Sequence, residues 1–227
     1  MDVWNFILDH RSELWSSGVT HARLVGTALL LAVPVAVVVG VLVSSRPRSS
    51  SAALAVAGVI ITIPSFALFG VLIAPLGLGF RPAVATLALY ALLPVLRNTI
   101  VGLDEVPADV VEAARGMGMT GRQALWRVRL PLALPLIIAG VRVATVMIVG
   151  IATIAALITA GGLGTFIFDG LRSGDRTEIV AGTVTIVALA LVFDAGLAVI
   201  ERLLRRHAPS ETAAAPLDPT ASAAATA

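Results

Sequence analysis

The side chains that most often carry out chemistry in proteins are scarce in this sequence of 227 residues. It contains no cysteine, its 16 basic residues are all arginines, and its three histidines lie far apart at His10, His21 and His207. Thiolate sites are therefore excluded, and a Schiff base or a Walker A phosphate loop would need a lysine. Histidines spaced in this way form no metal-binding pattern. We predict no catalytic residue and no metal site, and we do not expect an enzyme.

The composition indicates a protein embedded in a membrane. Hydrophobic residues make up 58% of the chain and the mean hydropathy is +0.97, which is too apolar for a soluble domain of this size. Five apolar runs reach the roughly 20 residues that a helix needs to cross a bilayer. They lie at Leu24–Val43, Ala52–Ala74, Ala83–Leu103, Leu132–Ile158 and Ile179–Ile200. The predicted fold class is therefore all-α, a polytopic membrane protein with five transmembrane helices.

The arginines predict how these spans are oriented. Nine of them follow the first, third or fifth span, at positions 46, 48, 115, 122, 127, 129, 202, 205 and 206. The opposite side has fewer arginines, and acidic residues partly offset them. Because arginine-rich loops stay in the cytoplasm, we expect the N-terminus outside the cell and the C-terminus in the cytoplasm. Arginines confined to loops between spans give no nucleic-acid footprint.

Three regions are predicted along the chain. Residues 1–20 form an interfacial segment outside the cell, because Trp4, Leu8, Arg11 and Trp15 recur at helical spacing and tryptophan favours the headgroup zone. A disordered leader is the alternative. Residues 21–206 form the transmembrane domain, with a cytoplasmic loop at residues 104–131. Residues 207–227, rich in Ala, Pro and Thr, form a disordered cytoplasmic tail.

The loop at residues 104–131 combines charge with small residues. Pro107 suits the first turn of a helix, and the acidic Asp109 and Glu112 favour its N-terminal end. Gly116 and Gly118 then interrupt the helix before a second helical stretch. This pattern predicts a rigid helix–glycine–helix unit that can dock in a cleft of another protein. An ordinary charged connector is the alternative.

The spacing in this loop resembles the EAA-x3-G-x9-I-x-LP signature of the inner-membrane permease subunits of ABC importers. The matching residues are Glu112, Ala113, Ala114, Gly118, Val128, Leu130 and Pro131, with Val128 where the family usually has Ile. The resemblance implies an ABC importer permease (MetI-like) fold whose loop couples the spans to an ATPase. It also implies that the ATPase is a separate subunit, which binds ATP and magnesium, and that this chain holds no cofactor.

Further segments are similar to permeases of the osmoprotectant importers for glycine betaine, carnitine and choline. They lie at residues 63–70, 92–99 and 161–171. The resemblance implies import of glycine betaine, choline, carnitine or proline, together with a solute-binding protein outside the cell. It also implies a second permease chain, either identical or related. Permeases for methionine or another amino acid share the architecture and stay open, as does a channel or scaffold without an ATPase.

Polar residues inside the spans are the candidates for the translocation pathway. Pro64 with Ser65 interrupts the second span, and backbone groups freed there need partners or water. With Tyr90 and Asn98 they form the predicted pathway lining. Tyr90 is the only tyrosine, so the chain has no obvious aromatic cage for a quaternary ammonium group, and selectivity is expected in the separate binding protein.

Three charged residues fall within or near the ends of spans. Arg142 lies about 16 Å along the fourth span from Pro131, so it must pair or face water if the span begins at the membrane surface. We expect a structural role for it. Asp194 is expected to lie near the interface with an arginine partner, and Arg97 either reaches the headgroups or serves the pathway.

Overall fold

The computed structural model describes residues 2–205, and all regular elements in that range are helices, as predicted. The predicted tail at residues 207–227 lies outside the described residues. The elements are α1 (Val3–Asp9), α2 (Arg11–Ser44), α3 (Pro47–Thr62), α4 (Ser65–Leu76), α5 (Phe80–Asp104), α6 (Ala108–Gly116), α7 (Gly121–Ala124), a π-helical turn (Leu125–Arg129), α8 (Leu130–Ala152), a 3₁₀ segment (Thr153–Ile158), α9 (Gly164–Ser173) and α10 (Arg176–Arg205).

Four helical segments are long and apolar enough to cross a membrane. They are α2, α5, the continuous stretch Gly121–Ile158 that contains α8, and α10. The pair α3 and α4 passes the same test only together, and the chain bends by 95° between them. Counting this pair as one span gives the five that the sequence predicts. The bend lies at Ile63–Pro64, where the sequence predicts an interruption.

The N-terminal region differs from the prediction in where its helices end. The break lies at His10, between α1 and α2, and α2 then runs unbroken for 34 residues. The predicted boundary at residue 20 coincides with no break, since the Thr20 hydroxyl donates a hydrogen bond to the Ser16 carbonyl within the helix (3.0 Å). Hydropathy locates the apolar run, whereas the polar turns before it are equally able to be helical.

Helices α2, α5 and α8 pack through small residues. Lipid tails are as apolar as leucine, so helix association in a membrane depends on close backbone approach rather than on the hydrophobic effect. A Cβ at Gly40 of α2 would lie 2.6 Å from the Thr99 methyl group of α5, and one at Gly102 of α5 would lie 3.1 Å from the Ala133 carbonyl oxygen of α8. These contacts leave no room for larger side chains.

A buried histidine adds a polar link between α2 and α8. The side chain of His21 is fully buried, and its Nε2 lies 3.0 Å from the Val149 carbonyl oxygen. Because a carbonyl can only accept, Nε2 carries the proton in this contact. The first span is thus fixed to the fourth by a directional bond as well as by packing.

Substitution of Gly140 tests the close packing of α5 on α8. A Cβ at this position would lie 2.5 Å from the Asn98 Cβ and 2.9 Å from the Pro94 carbonyl oxygen. We expect Gly140→Val to destabilise the folded protein by about 1–3 kcal/mol, the usual cost of overpacking. Thermal unfolding in detergent measures the effect. The control is Gly150→Val on the same helix, where a Cβ meets nothing within 4 Å. Equal unfolding midpoints for the two variants would refute this packing.

Candidate functional site

The loop between α5 and α8 folds into a helical hairpin, which we call the coupling segment (residues 104–131). Pro107 immediately precedes α6, and Asp109 lies in the first turn of α6, where an acidic group favours the helix. Thr120 begins α7 with a capping box: its hydroxyl accepts from the Gln123 backbone N–H, and its own N–H donates to Gln123 Oε1 (2.8 Å). Local sequence therefore fixes where both helices begin.

Gly118 makes the turn that brings the two helices of the coupling segment together. Its φ is +85°, in the region that side-chain-bearing residues rarely adopt. The turn is closed by bonds from the Gly118 N–H to the Arg115 carbonyl (2.9 Å) and from the Met119 N–H to the Ala114 carbonyl (3.2 Å). The alanines at 114 and 124 are buried in the hairpin. The positive φ at this turn explains why position 118 of the signature is a glycine.

The signature residues divide into an exposed set and a packed set. Glu112, Ala113, Gly118 and Pro131 are exposed, whereas Ala114 is buried and Val128 and Leu130 are half-buried. The exposed residues are available to a partner. The others hold the coupling segment in shape and fix it to α8.

Two large apolar side chains project from the coupling segment. Met117 is 73% exposed and Trp126 is 58% exposed. The exposure of Trp126 agrees with its place in the second helical stretch, but sequence reasoning gave Met117 no role. The sequence could have indicated the exposure of Met117, because it lies between Gly116 and Gly118, which have no side chains for it to pack against. Both side chains are therefore accessible at the surface of the coupling segment.

The coupling segment is rigidly connected to two spans. The helical path from Gly121 continues without a break into α8, through the π-helical turn. The Arg129 guanidinium donates through Nη2 to the Leu103 carbonyl at the end of α5 (2.9 Å). A force on α7 would therefore move α8 directly and α5 through this bond and the glycine contacts.

The predicted pathway residues fall in two separate places. At the bend between α3 and α4, the buried Tyr90 hydroxyl donates to the Ile63 carbonyl, so Tyr90 lies beside Pro64 and the start of α4 at Ser65. Asn98 lies eight residues further along α5, about 12 Å away. Its side-chain amide donates to the Pro94 carbonyl of its own helix (2.9 Å) and abuts Gly140.

Arg142 of α8 pairs with two carboxylates of α10. Its Nε and Nη2 donate to the two oxygens of Asp194 (3.0 Å each), and its Nη1 donates to Glu201 Oε2 (2.6 Å). The carboxylates are seven residues apart and so share one face of α10. The expected arginine partner of Asp194 is thus Arg142, and Arg97 is exposed elsewhere on α5. Sequence reasoning missed Glu201, although its seven-residue spacing from Asp194 was a readable signal.

These three residues, which we call the ion triad, line a groove of about 550 Å³ between α8 and α10. The side chains of Arg142, Asp194 and Glu201 are 30%, 35% and 11% exposed. Charged groups on membrane spans are costly unless they are paired, and pairing here also joins two helices. The ion triad therefore stabilises the α8–α10 contact and places the polar part of that contact on the wall of a groove.

Comparison with known proteins gives a consistent result. Residues 32–206 match the model of a family described as "Binding-protein-dependent transport system inner membrane component". The chain is 42% identical over 200 residues to the osmoprotectant import permease protein OsmW of Salmonella typhimurium, covering 86% of this chain and 93% of OsmW. It is 36% identical to the glycine betaine/carnitine/choline transport system permease protein OpuCB of Bacillus subtilis, covering 88% of this chain and 92% of OpuCB.

The fold also resembles a solved structure. A chain of the MetNI methionine ABC transporter, in inward-facing conformations, superposes with a TM-score of 0.69 at 24% identity, covering 84% of this chain and 94% of that one. At this level of identity the similarity concerns the fold alone.

Removal of the arginine from the ion triad should destabilise the protein more than removal of all three charges. Arg142→Gln leaves Asp194 and Glu201 charged without the guanidinium, whereas Arg142→Gln combined with Asp194→Asn and Glu201→Gln leaves neutral groups of similar shape. Partial exposure lowers the cost, so we expect about 1–3 kcal/mol for the single variant and less for the triple variant. Thermal unfolding in detergent compares them. If the triple variant is the less stable of the two, charge pairing is not what this contact contributes.

Proposed function

The chain belongs to the family of binding-protein-dependent transport system inner membrane components, and from this premise we propose that it carries a compatible solute into the cell. It is a membrane-embedded permease subunit and not an enzyme, since in this family the ATPase is a separate subunit. The proposed solutes are quaternary ammonium osmoprotectants of the glycine betaine, choline and carnitine type, or proline. The names of OsmW and OpuCB support this class of solute.

The observation that carries the proposal is the coupling segment. It offers an exposed acidic and apolar surface at Glu112, Met117 and Trp126, and it continues as one helical path into α8. An ATPase docked on this surface can move a span without any flexible linker between them. The remaining signature residues, Ala113, Ala114, Gly118, Val128, Leu130 and Pro131, shape or support that surface.

The proposed orientation places the coupling segment in the cytoplasm, the N-terminus outside and the C-terminus inside. The arginine-rich side of the spans supports it, because the segment itself carries Arg115, Arg122, Arg127 and Arg129. ATP and magnesium are then bound by the docked ATPase on the same side. In this arrangement α1 and Arg11, the first residue of α2, lie at the outer interface, and α2 continues from there into the bilayer.

Selectivity is proposed to reside in a separate extracytoplasmic solute-binding protein. A cage for a quaternary ammonium group needs several aromatic faces. Tyr90 is the only tyrosine, and its hydroxyl is occupied by the Ile63 carbonyl at the helix bend. Trp4, Trp15 and Trp126 are all exposed at the ends of the spans. The pathway residues Pro64, Ser65, Tyr90 and Asn98 are proposed to shape the route rather than to select the solute.

Transport requires a second permease chain, either a copy of this one or a related chain. Two such chains would enclose the path between them, and approach of the ATPases would swing them between outward and inward states. Docking biases this equilibrium only through different affinities for the two states. Import of methionine or another amino acid is the second candidate, because permeases for those solutes share this architecture. The names of OsmW and OpuCB favour the osmoprotectant class over it.

Uptake by the reconstituted complex tests the function. Permease, ATPase and binding protein in proteoliposomes should import radiolabelled glycine betaine when ATP is supplied inside, and unlabelled choline, carnitine or proline should compete according to the solute preference. Competition by methionine alone would favour the second candidate. Uptake that continues without ATP would identify a channel and contradict the proposal.

A variant at the glycine turn tests the coupling role separately. In Gly118→Val the side chain meets no neighbour, so its effect comes from the left-handed backbone, at roughly 1–2 kcal/mol. This corresponds to roughly a 5- to 30-fold change in an equilibrium. We expect ATP-driven uptake to fall by about that factor, while solute still binds the binding protein. Gly116→Val is the matched control, because Gly116 has ordinary helical geometry and open space. Equal uptake by both variants would argue against the coupling role.

A further inference from the structure

A narrow apolar groove runs between the first turns of α2 and the middle of α10. It has a volume of about 390 Å³. On α2 it is lined at helical spacing by Arg11, Trp15, Gly18 and Ala22, and on α10 by residues that include Ala188 and Val192. Small residues on both helices leave the space between them open. A Cβ at Gly18 would meet nothing within 4 Å.

The groove belongs to parts of the chain that are apolar and exposed. Both α2 and α10 have the length and hydropathy of membrane spans, and very little of α10 is buried within the chain. Hydrocarbon surrounds such surfaces in place of water. An open apolar groove there is filled either by lipid or by another transmembrane segment.

One end of the groove is polar, and in the proposed orientation it lies at headgroup level. Arg11 is the first residue of α2 and the charged residue of the groove lining, and α10 begins nearby with Arg176 and Glu178. Trp15, one turn further in, is 76% exposed, as expected for a tryptophan at the membrane interface. Among residues 2–205 the Arg11 guanidinium has no ion-pair or hydrogen-bond partner. A bidentate cation at this level suits a phosphate group.

The dimensions distinguish a lipid chain from a helix. From Arg11 to Ala22 the groove extends about 16 Å along α2, which matches one leaflet of a hydrocarbon core about 30 Å thick. A helix about 10 Å wide would occupy roughly 1,200 Å³ over that length, several times the volume of the groove. A transmembrane helix would therefore rest on the rim, whereas a single acyl chain can enter.

We propose that this groove binds one acyl chain of an anionic phospholipid whose phosphate pairs with Arg11. The lipid belongs to the leaflet that contains the N-terminal end of α2. The apolar lining of the groove contacts the acyl chain, and Arg11 favours lipids with a net negative charge. Bound in this way, the lipid fills the space between the first and last spans and holds their separation.

Native mass spectrometry of the complete transporter tests the site. The complex is stripped of lipid in detergent and titrated with phosphatidylglycerol or with zwitterionic phosphatidylethanolamine. We expect one preferred phosphatidylglycerol per permease chain. Arg11→Gln should weaken its binding about fivefold, towards the level of phosphatidylethanolamine. Gly18→Leu, which fills the groove, should weaken binding of both lipids. Because lipid binding is the readout, the result is independent of the proposed transport function.

Two control variants make the outcome specific. Arg81→Gln removes an exposed arginine at the start of α5, and Gly26→Leu adds the same bulk to α2 where a Cβ meets nothing within 4 Å. Both should bind lipid as the unmodified protein does. The proposal would be overturned if the two groove variants bound phosphatidylglycerol as strongly as the two control variants do.

A second chain in the groove is tested with Val19→Cys, since the natural sequence has no cysteine. Val19 lines the groove and is partly exposed. With the groove occupied by lipid, oxidation should leave the variant as uncross-linked chains. A disulfide-linked dimer of the permease would show that a second copy covers the groove and would contradict the lipid site.

Discussion

Helices α5 and α8 approach so closely at Gly140 that an added methyl group would lie 2.5 Å from the Cβ of Asn98. Gly102 makes a similar contact with Ala133 at the end of the pair that leads to the coupling segment. There the Arg129 guanidinium closes the pair by binding the Leu103 carbonyl. The coupling segment connects these two helices in sequence, so its position depends on their contact. A loose pair would absorb a displacement that a tight pair transmits.

The absence of water from the bilayer core explains why the polar groups inside the fold are paired. Without water, every freed backbone or charged group needs a partner from the protein. At the bend between α3 and α4 the partner is Tyr90, and on α8 the charge of Arg142 is met by two carboxylates of α10. Each polar contact also joins two helices. The contacts that satisfy these polar groups therefore also fix the arrangement of the spans.

The sequence predicted the features that depend on local composition. Apolar runs located the spans, Pro64 located the bend, and the glycines at 116 and 118 located the end and turn of the coupling hairpin. Features set by tertiary contacts were not predictable in this way. The 95° angle at the bend and the role of Glu201 in the ion triad depend on which helices are neighbours. Helical turns before Leu24 were predicted, but their continuity with the first span was not, because hydropathy measures polarity rather than where a helix breaks.

The coupling segment is proposed to be the contact between the permease and its ATPase subunit. Site-directed cross-linking measures this most directly, because every cysteine is an introduced one. Met117→Cys places a thiol on the exposed tip of the segment, and Leu171→Cys, 59% exposed on α9, places one near the opposite end of α8. In the assembled complex treated with a short thiol-to-amine cross-linker, we expect Met117→Cys to join the ATPase subunit and Leu171→Cys not to. The absence of a link from Met117→Cys, or an equal link from Leu171→Cys, would contradict the account.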